Sequence, residues 1–250
     1  MALNADRIDK SVPIPLYFQL KKIILDEIKN GTYPSGSPIP TENELSDIFK
    51  ISRTTVRQAI TELVQEGRLY RIKSKGTFVS KPKINNEDFI TKIESFNSQM
   101  ARRGLTASTE VLDLKVIPAD ITVAKFLNLS ENDQVLFLYR RRFANDEPLV
   151  TIKTYLPYSR CQDLINLDFT TISLYAELGK SDDTKIVKIQ RQIEAVEADS
   201  EDARHLNMKK GKPIHFFTSI GYNLYGQPIE YSLARYRGDR NVFEITVAPE

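Results

Sequence analysis

The tightest constraint on the fold lies in residues 41–67, where two amphipathic segments are separated only by Lys50-Ile51-Ser52. Thr41 and Glu44 have capping-box spacing, and Leu45, Ile48 and Phe49 form the apolar face of a helix that starts there. A second helix starts near Ser52, carries Val56, Ile60, Leu63 and Val64 as its stripe, and ends at Gly67. Upstream, Leu16, Leu20, Ile23, Ile24 and Ile28 repeat at helical spacing across 13–31, and the Pro/Gly/Ser run TYPSGSPIP is a loop. Downstream, RLYRI and GTFVS flank KSKG as a β-hairpin. Residues 1–80 therefore read as three helices and a wing, a winged helix-turn-helix.

That arrangement suits duplex DNA. The helix opening at Ser52 crowds donors into its first turns, and a major groove about 12 Å wide admits such an end. Arg53 and Arg57 offer forks to guanine, Thr54 and Thr55 can meet phosphate or a thymine methyl, and free N–H groups at a helix start favour a phosphate. Arg71, Lys73 and Lys75 charge the hairpin for phosphate or minor-groove contact, and Gly76 permits a tight turn or close approach. Each residue alone is equally ordinary surface or turn material; the combination points to DNA. Charge agrees: residues 1–85 hold 14 Lys/Arg against 9 Asp/Glu, the remainder 21 against 24. As a bare count, chance accounts for the asymmetry equally well.

At 250 residues the chain has room for two domains. The N-terminus lacks a secretion-type apolar core, and no apolar run reaches the about 18 residues of a membrane span. The single cysteine, Cys161, cannot pair within the chain. These features predict a cytoplasmic protein without membrane partners.

Lys81–Asp88, KPKINNED, is polar and reads as linker, taken as 81–90. Beyond it, strands fit 109–117, 134–143, 149–156, 185–196, 214–222, 228–236 and 242–247, with Asn145-Asp146 and Tyr225-Gly226 as hairpin tips. Helices fit 91–103, 119–127, 171–178 and 200–207. Residues 91–250 are thus an α+β domain around an antiparallel sheet.

Strand alternation puts Arg140 and Arg142 on one face and Arg141 on the other. Two guanidiniums about 7 Å apart repel unless an anion or carboxylates intervene. An anionic ligand is one answer; salt bridges on a solvated face are the other. Glu230, Ser232 and Tyr236 share a face and can orient sugar hydroxyls or an amide, or are strand polarity beside a buried tyrosine. Ser95 either offers a helix start to a phosphate or is a plain N-cap. Tyr175 reads as core or pocket.

Residues 13–80 resemble the winged-helix domain of the GntR transcription regulators, through PIPLYFQL, PTENEL, SRTTVRQAITELVQEG and KSKGTFVSKP. The resemblance implies DNA contacts by Arg53, Thr54, Thr55, Arg57 and Gly76, and the full expected set is Thr41, Glu42, Ser52, Arg53, Thr54, Thr55, Arg57, Gln58, Arg71, Lys73, Lys75 and Gly76. The family's second helix usually begins Glu-Arg; here it begins Glu42-Asn43, which removes one DNA-touching arginine. Residues 90–248 are similar to the UTRA effector domain of the HutC-like subfamily, through SFNSQMARRG, LYRRRFANDEPL, SLYAEL and EYSLARYRGDR. That implies a chorismate-lyase-like fold and a pocket for a small metabolite, often a sugar phosphate, lined by Ser95, Phe96, Arg140, Arg142, Tyr175, Glu230 and Tyr236. Two departures, Ile152 for a frequent carboxylate and Glu94 for a small hydroxyl residue, point to a less negative ligand or to a Glu94 turned away.

An enzyme is the rival reading, since the effector fold is shared with a lyase, and a ligand-independent DNA-binding protein is a third. His205 and His215 lack metal-ligand spacing, Cys161 has no identifiable partner, and no nucleophile-elbow, Walker or dinucleotide motif occurs. The expectation is a non-enzymatic regulator without cofactor or metal. It is a homodimer gripping double-stranded palindromic operator DNA and controlled by a small anionic effector, with repression more usual than activation in the family.

Overall fold

The computed structural model describes residues 4–81, 83–86, 89 and 92–247. It divides into two compact units, Met1–Pro82 and Lys83–Glu250.

In the first unit α1 (Leu16–Lys29), α2 (Glu42–Phe49) and α3 (Arg53–Gln65) pack with a hairpin of β1 (Leu69–Ile72) and β2 (Gly76–Val79). The capping box is present: Thr41 Oγ1 accepts from Glu44 N, and a Glu44 carboxylate oxygen accepts from Thr41 N at 2.7 Å. Lys50 ends α2 in the left-handed region (φ 52°), and Ser52 Oγ caps α3 by accepting from Thr55 N at 3.1 Å. The stripes meet in one core: Leu20 and Ile24 of α1, Leu45 and Phe49 of α2, Val56, Ile60 and Leu63 of α3, and Leu69 and Val79 of the hairpin, none more than 1% exposed. This core fixes the angle at which α3 leaves the turn.

The second unit is built on a six-stranded antiparallel sheet in the order β4-β5-β6-β9-β8-β7: β4 (Ala107–Pro118), β5 (Gln134–Ala144), β6 (Glu147–Pro157), β7 (Lys188–Glu197), β8 (Pro213–Tyr222) and β9 (Pro228–Arg237). Asn145 and Asp146, at φ 46° and 61°, form the β5–β6 turn; Asn223 Oδ1 accepts from Tyr225 N and Gln227 N to build the β8–β9 turn. One sheet face carries α4 (Phe96–Arg102) and α6 (Leu174–Leu178). On the other lie α5 (Ile121–Leu127), where Phe126 stacks on Tyr231, and α7 (Ser200–His205), where Asp202 pairs with Arg235.

Several expected boundaries change. Within 81–90, Pro82, Glu87, Asp88 and Ile90 lie outside the described residues, as does Thr91, where a helix was expected to begin. The rest of that stretch is not a free linker. Ile84–Asn85 (β3) pairs in parallel with Asn241–Val242 (β10), Lys83 Nζ donates to Gly238 O, and Asn86, 2% exposed, donates to Asn241 Oδ1 at 3.1 Å. Polar side chains that read as solvated are spent on a buried amide pair. Among the described residues the helix expected over 91–103 covers Phe96–Arg102, and that over 171–178 covers Leu174–Leu178, because Ser95 and Ser173 cap them. The strand expected over 242–247 shrinks to β10; Phe243 packs against Phe217 instead.

Candidate functional site

Two sites are built, one in each unit. In the first, capping by Ser52 leaves Arg53 and Thr54 exposed on the first turn of α3, with Arg57 and Gln58 exposed one turn on, while Val56, Ala59 and Ile60 face the core. The expected residues divide by task. Thr41 and Ser52 spend their hydroxyls on caps, and Thr55 Oγ1 lies 2.8 Å from Ser52 Oγ. Glu42 bridges two cations: one carboxylate oxygen accepts from Arg57 Nε at 3.1 Å and the other from Arg71 Nη2 at 3.4 Å. Arg71 also donates to Thr61 Oγ1 at 3.2 Å. A single carboxylate thus ties the exposed end of α3 to the hairpin.

The hairpin is held in place by its neighbours. Tyr70 stacks on Phe78 across the strands at 5.6 Å, and Ile39 N donates to Thr77 O, joining the loop before α2 to β2. Lys73 and Lys75 are exposed at its tip, around Ser74 at φ 63°. Gly76 sits at φ 119°, a backbone conformation that favours glycine, with open space where a Cβ would be. Arg53, Arg57, Arg71, Lys73 and Lys75 make this surface cationic, as a polyanion partner requires.

In the second unit, cross-strand register explains which side chains meet. Leu138, Thr154, Ser232, Ser219 and Arg191 lie in one row across the sheet; Arg140, Ile152, Ala234 and Phe217 in the next; Arg142, Val150, Tyr236 and His215 in a third. From these rows Arg191, Ser219 and Ser232, Arg140, Ile152 and Ala234, and Arg142 and Tyr236 line a cavity of about 670 Å³, counted with its open mouth, which Phe89, Glu94, Ser95, Phe96, Gln99 and the first turn of α6 also line. All seven expected residues, Ser95, Phe96, Arg140, Arg142, Tyr175, Glu230 and Tyr236, line it.

The cavity is rich in guanidinium N–H groups without acceptors among the described residues. Arg140 is 3% exposed, and its Nη2 reaches only Thr154 Oγ1 at 3.5 Å. Nε and Nη1 of Arg140, Nε of Arg142 and Nε of Arg191 are buried with no acceptor among the described residues. Burial, then the neighbouring Arg142, lowers the Arg140 pKa to about 9; burial lowers that of Arg142. At about 9, Arg140 is still cationic at neutral pH. Arg142 lies over the Phe96 ring at 5.2 Å, and Arg191 lies over Phe89 at 4.3 Å and donates to its carbonyl at 2.6 Å. Salt bridges on a solvated face are therefore not how Arg140 and Arg142 are accommodated.

The acceptor wall is Glu230, 3% exposed, whose carboxylate accepts a hydrogen bond from the Tyr175 hydroxyl at 2.8 Å; burial raises its pKa, opposed by that hydrogen bond and by Arg140. Tyr236 is pushed up to about 12 by burial. Ser95 proves to be an N-cap, accepting from Ser98 N at 3.1 Å, while still lining the cavity. Glu94 also lines it, but pairs with Arg102 at 2.6 Å, which offsets its charge. Ile152 lies directly opposite Arg140 in register, so this position supplies no carboxylate to it.

Sequence reasoning missed Arg191, Gln99, Phe89 and Ser219. Arg191 alternates correctly on β7, but only the β7–β8 register brings it beside Ser219; Phe89 fell in the presumed linker.

Residues 16–79 match the family model for bacterial regulatory proteins of the gntR family, and residues 102–241 match the UTRA domain. The chain is 34% identical over 236 residues to the HTH-type transcriptional repressor NagR of Bacillus subtilis (strain 168), covering 94% of this chain and 96% of that one. It is 30% identical to the mannosyl-D-glycerate transport/metabolism system repressor MngR of Escherichia coli (strain K12), covering 92% and 95%. The crystal structure of PhnF from Mycobacterium smegmatis superposes with TM-score 0.65 at 26% identity, covering 92% and 99%.

Proposed function

This chain belongs to the GntR family of bacterial regulatory proteins, with a UTRA domain, and from that premise we propose that it represses transcription from a palindromic operator until an anionic, sugar-like metabolite fills the cavity of its second unit. The family is one of transcription regulators, not enzymes. Residues 1–80 are the reading head, 91–250 the sensor, and 81–90 the segment that carries the signal between them. The protein acts in the cytoplasm as a homodimer, so that two heads meet half-sites about one helical turn, or a multiple of it, apart.

The observation that carries the effector reading is the set of buried guanidinium N–H groups without acceptors on Arg140, Arg142 and Arg191. Buried guanidinium N–H groups without acceptors are costly, and their convergence on one cavity from three arginines is explained by an anion that completes them. Lining the same cavity are Glu230, Tyr175, Ser232 and Ser219, groups suited to sugar hydroxyls. Phosphate at the arginines and hydroxyls at Glu230 together describe a phosphorylated sugar. Contrary to the less negative ligand expected from sequence, Ile152 favours an anion here, since a carboxylate opposite Arg140 would take the anion's place. Relatives named for mannosyl-D-glycerate and fructoselysine utilisation are consistent with sugar-derived effectors. Effector and operator are coupled by typically about 1–3 kcal/mol.

A thermal-shift screen of the full chain with phosphosugars, their dephosphorylated sugars and small acids tests the proposal. A phosphosugar should raise the melting temperature and release operator, its neutral parent should do neither, and Arg140→Ala/Arg142→Ala should abolish both effects. Full response of that double variant overturns the anion site.

A further inference from the structure

We propose that the outer edge of β7 is the seam along which two copies of this chain join their sheets; the proposal rests on the homodimer reading above. β7 closes one side of the sheet, is paired to β8 over its whole length, and carries no second strand among the described residues. It is ten residues long and contains no proline, and its charges, Lys188, Arg191, Glu194 and Glu197, guard it against strands that do not match them while admitting one that does. Exposed apolar side chains gather beside it: Val187 at 43%, Ile193 at 42%, and Leu224 and Tyr225 of the adjoining β8–β9 turn at 64% and 63%. The opposite edge strand, β4, contributes none of the large exposed hydrophobics.

The occupant is set by the strand's own pattern. Two identical antiparallel strands related by a two-fold axis through the sheet keep their faces, so only residues of like parity meet. Centred on Arg191, that register sets Lys188 against Glu194, Ile189 against Ile193 and Gln190 against Gln192, each pair occurring twice. Opposite charges, apolar groups and amides all find their match. Arg191 meets its own copy, but its guanidinium is already turned onto the Phe89 ring and carbonyl. The register centred on Glu194 is poorer, since it sets two carboxylates face to face and leaves Lys188 unmatched.

Charge reversal on the full chain tests this seam. Lys188 and Glu194 are both exposed, so the swaps spare the core. Dimer dissociation is followed by subunit exchange between fluorescently labelled copies. Lys188→Glu and Glu194→Lys should each raise the dissociation constant about tenfold, because two attractive cross-strand pairs become repulsive. The double variant should return toward the native value, since each new charge again faces its opposite. Ile193→Asp should weaken the dimer while leaving each chain cooperatively folded. A native protein that is monomeric overturns the dimer reading and the seam with it. A native dimer indifferent to the single swaps, or a double variant weaker than either single one, overturns the seam alone.

Discussion

The Tyr175 hydroxyl, on α6, donates to a carboxylate oxygen of Glu230, on β9, at 2.8 Å, so a helix and a sheet are latched together inside the cavity. The latch holds a carboxylate where burial opposes its charge. Glu230 is raised above the ordinary carboxyl range, so the folded chain binds its proton more tightly than the unfolded chain. Its favourable contribution is complete below about pH 4, the unfolded carboxyl range, and is lost as pH rises through the folded value. Glu230→Gln, which keeps an acceptor for Tyr175, should therefore melt above the native protein at pH 7.5 without ligand, and the difference should close on acidification toward pH 4. Circular-dichroism melts across that range are the check; an unchanged gap removes Glu230 ionisation as the cause.

Arg140 presents a similar conflict between stability and function. Replacing buried ionic groups by apolar side chains of similar size is often neutral, or stabilising by about 1–4 kcal/mol, and Glu230, which Arg140 helps to hold ionised, can take up a proton once Arg140 is gone. Arg140→Met should leave the ligand-free protein as stable or raise its melting temperature, at about 2–4 °C per kcal/mol. The same variant should lose about 1.5–3 kcal/mol of affinity for a phosphorylated effector, the worth of a charge-assisted hydrogen bond. Calorimetry of binding and of melting should move in opposite directions.

Arg53 and Lys73 should fail differently on DNA. Arg53→Ala should cost about 1–3 kcal/mol on the operator and relax base preference at one position of each half-site. Lys73→Ala should weaken all duplexes alike and lower the slope of log affinity against log salt by about 1. Titrations of matched and mismatched duplexes at several salt concentrations separate the two.

Glu42 should act through the arginines it bridges. Glu42→Gln frees Arg57 and Arg71 from ion pairs that, at the surface, are each worth about 0.2–1 kcal/mol. Non-specific duplex binding should tighten, because one negative charge is gone, while the ratio of operator to non-specific affinity should fall several-fold as the arginines lose their fixed directions. A preserved ratio would make Glu42 merely a surface charge.

The reading head was legible because its signals are local. A capping box at Thr41, helical stripes and a glycine-closed helix all act over a few residues, and the core formed where those stripes met. Alternation likewise placed Arg140 and Arg142, or Glu230 and Tyr236, on common faces. What alternation does not carry is order across the sheet. Arg191 reaches the cavity only because β7 pairs with β8 rather than with its predecessor in sequence, β6. Asn86 was illegible for another reason: an amide whose partner, Asn241, lies 155 residues away looks like loop composition until both are buried together.

The central claim is that the helix beginning at Ser52 reads base pairs. Enrichment of duplexes from a randomised pool by the full chain at low ionic strength, without effector, tests it directly. We expect one palindrome, with half-sites one helical turn or a multiple of it apart, and its loss of definition with Arg53→Ala. Recovery of no preferred sequence, or of the same sequence with equal affinity by Arg53→Ala, contradicts the account.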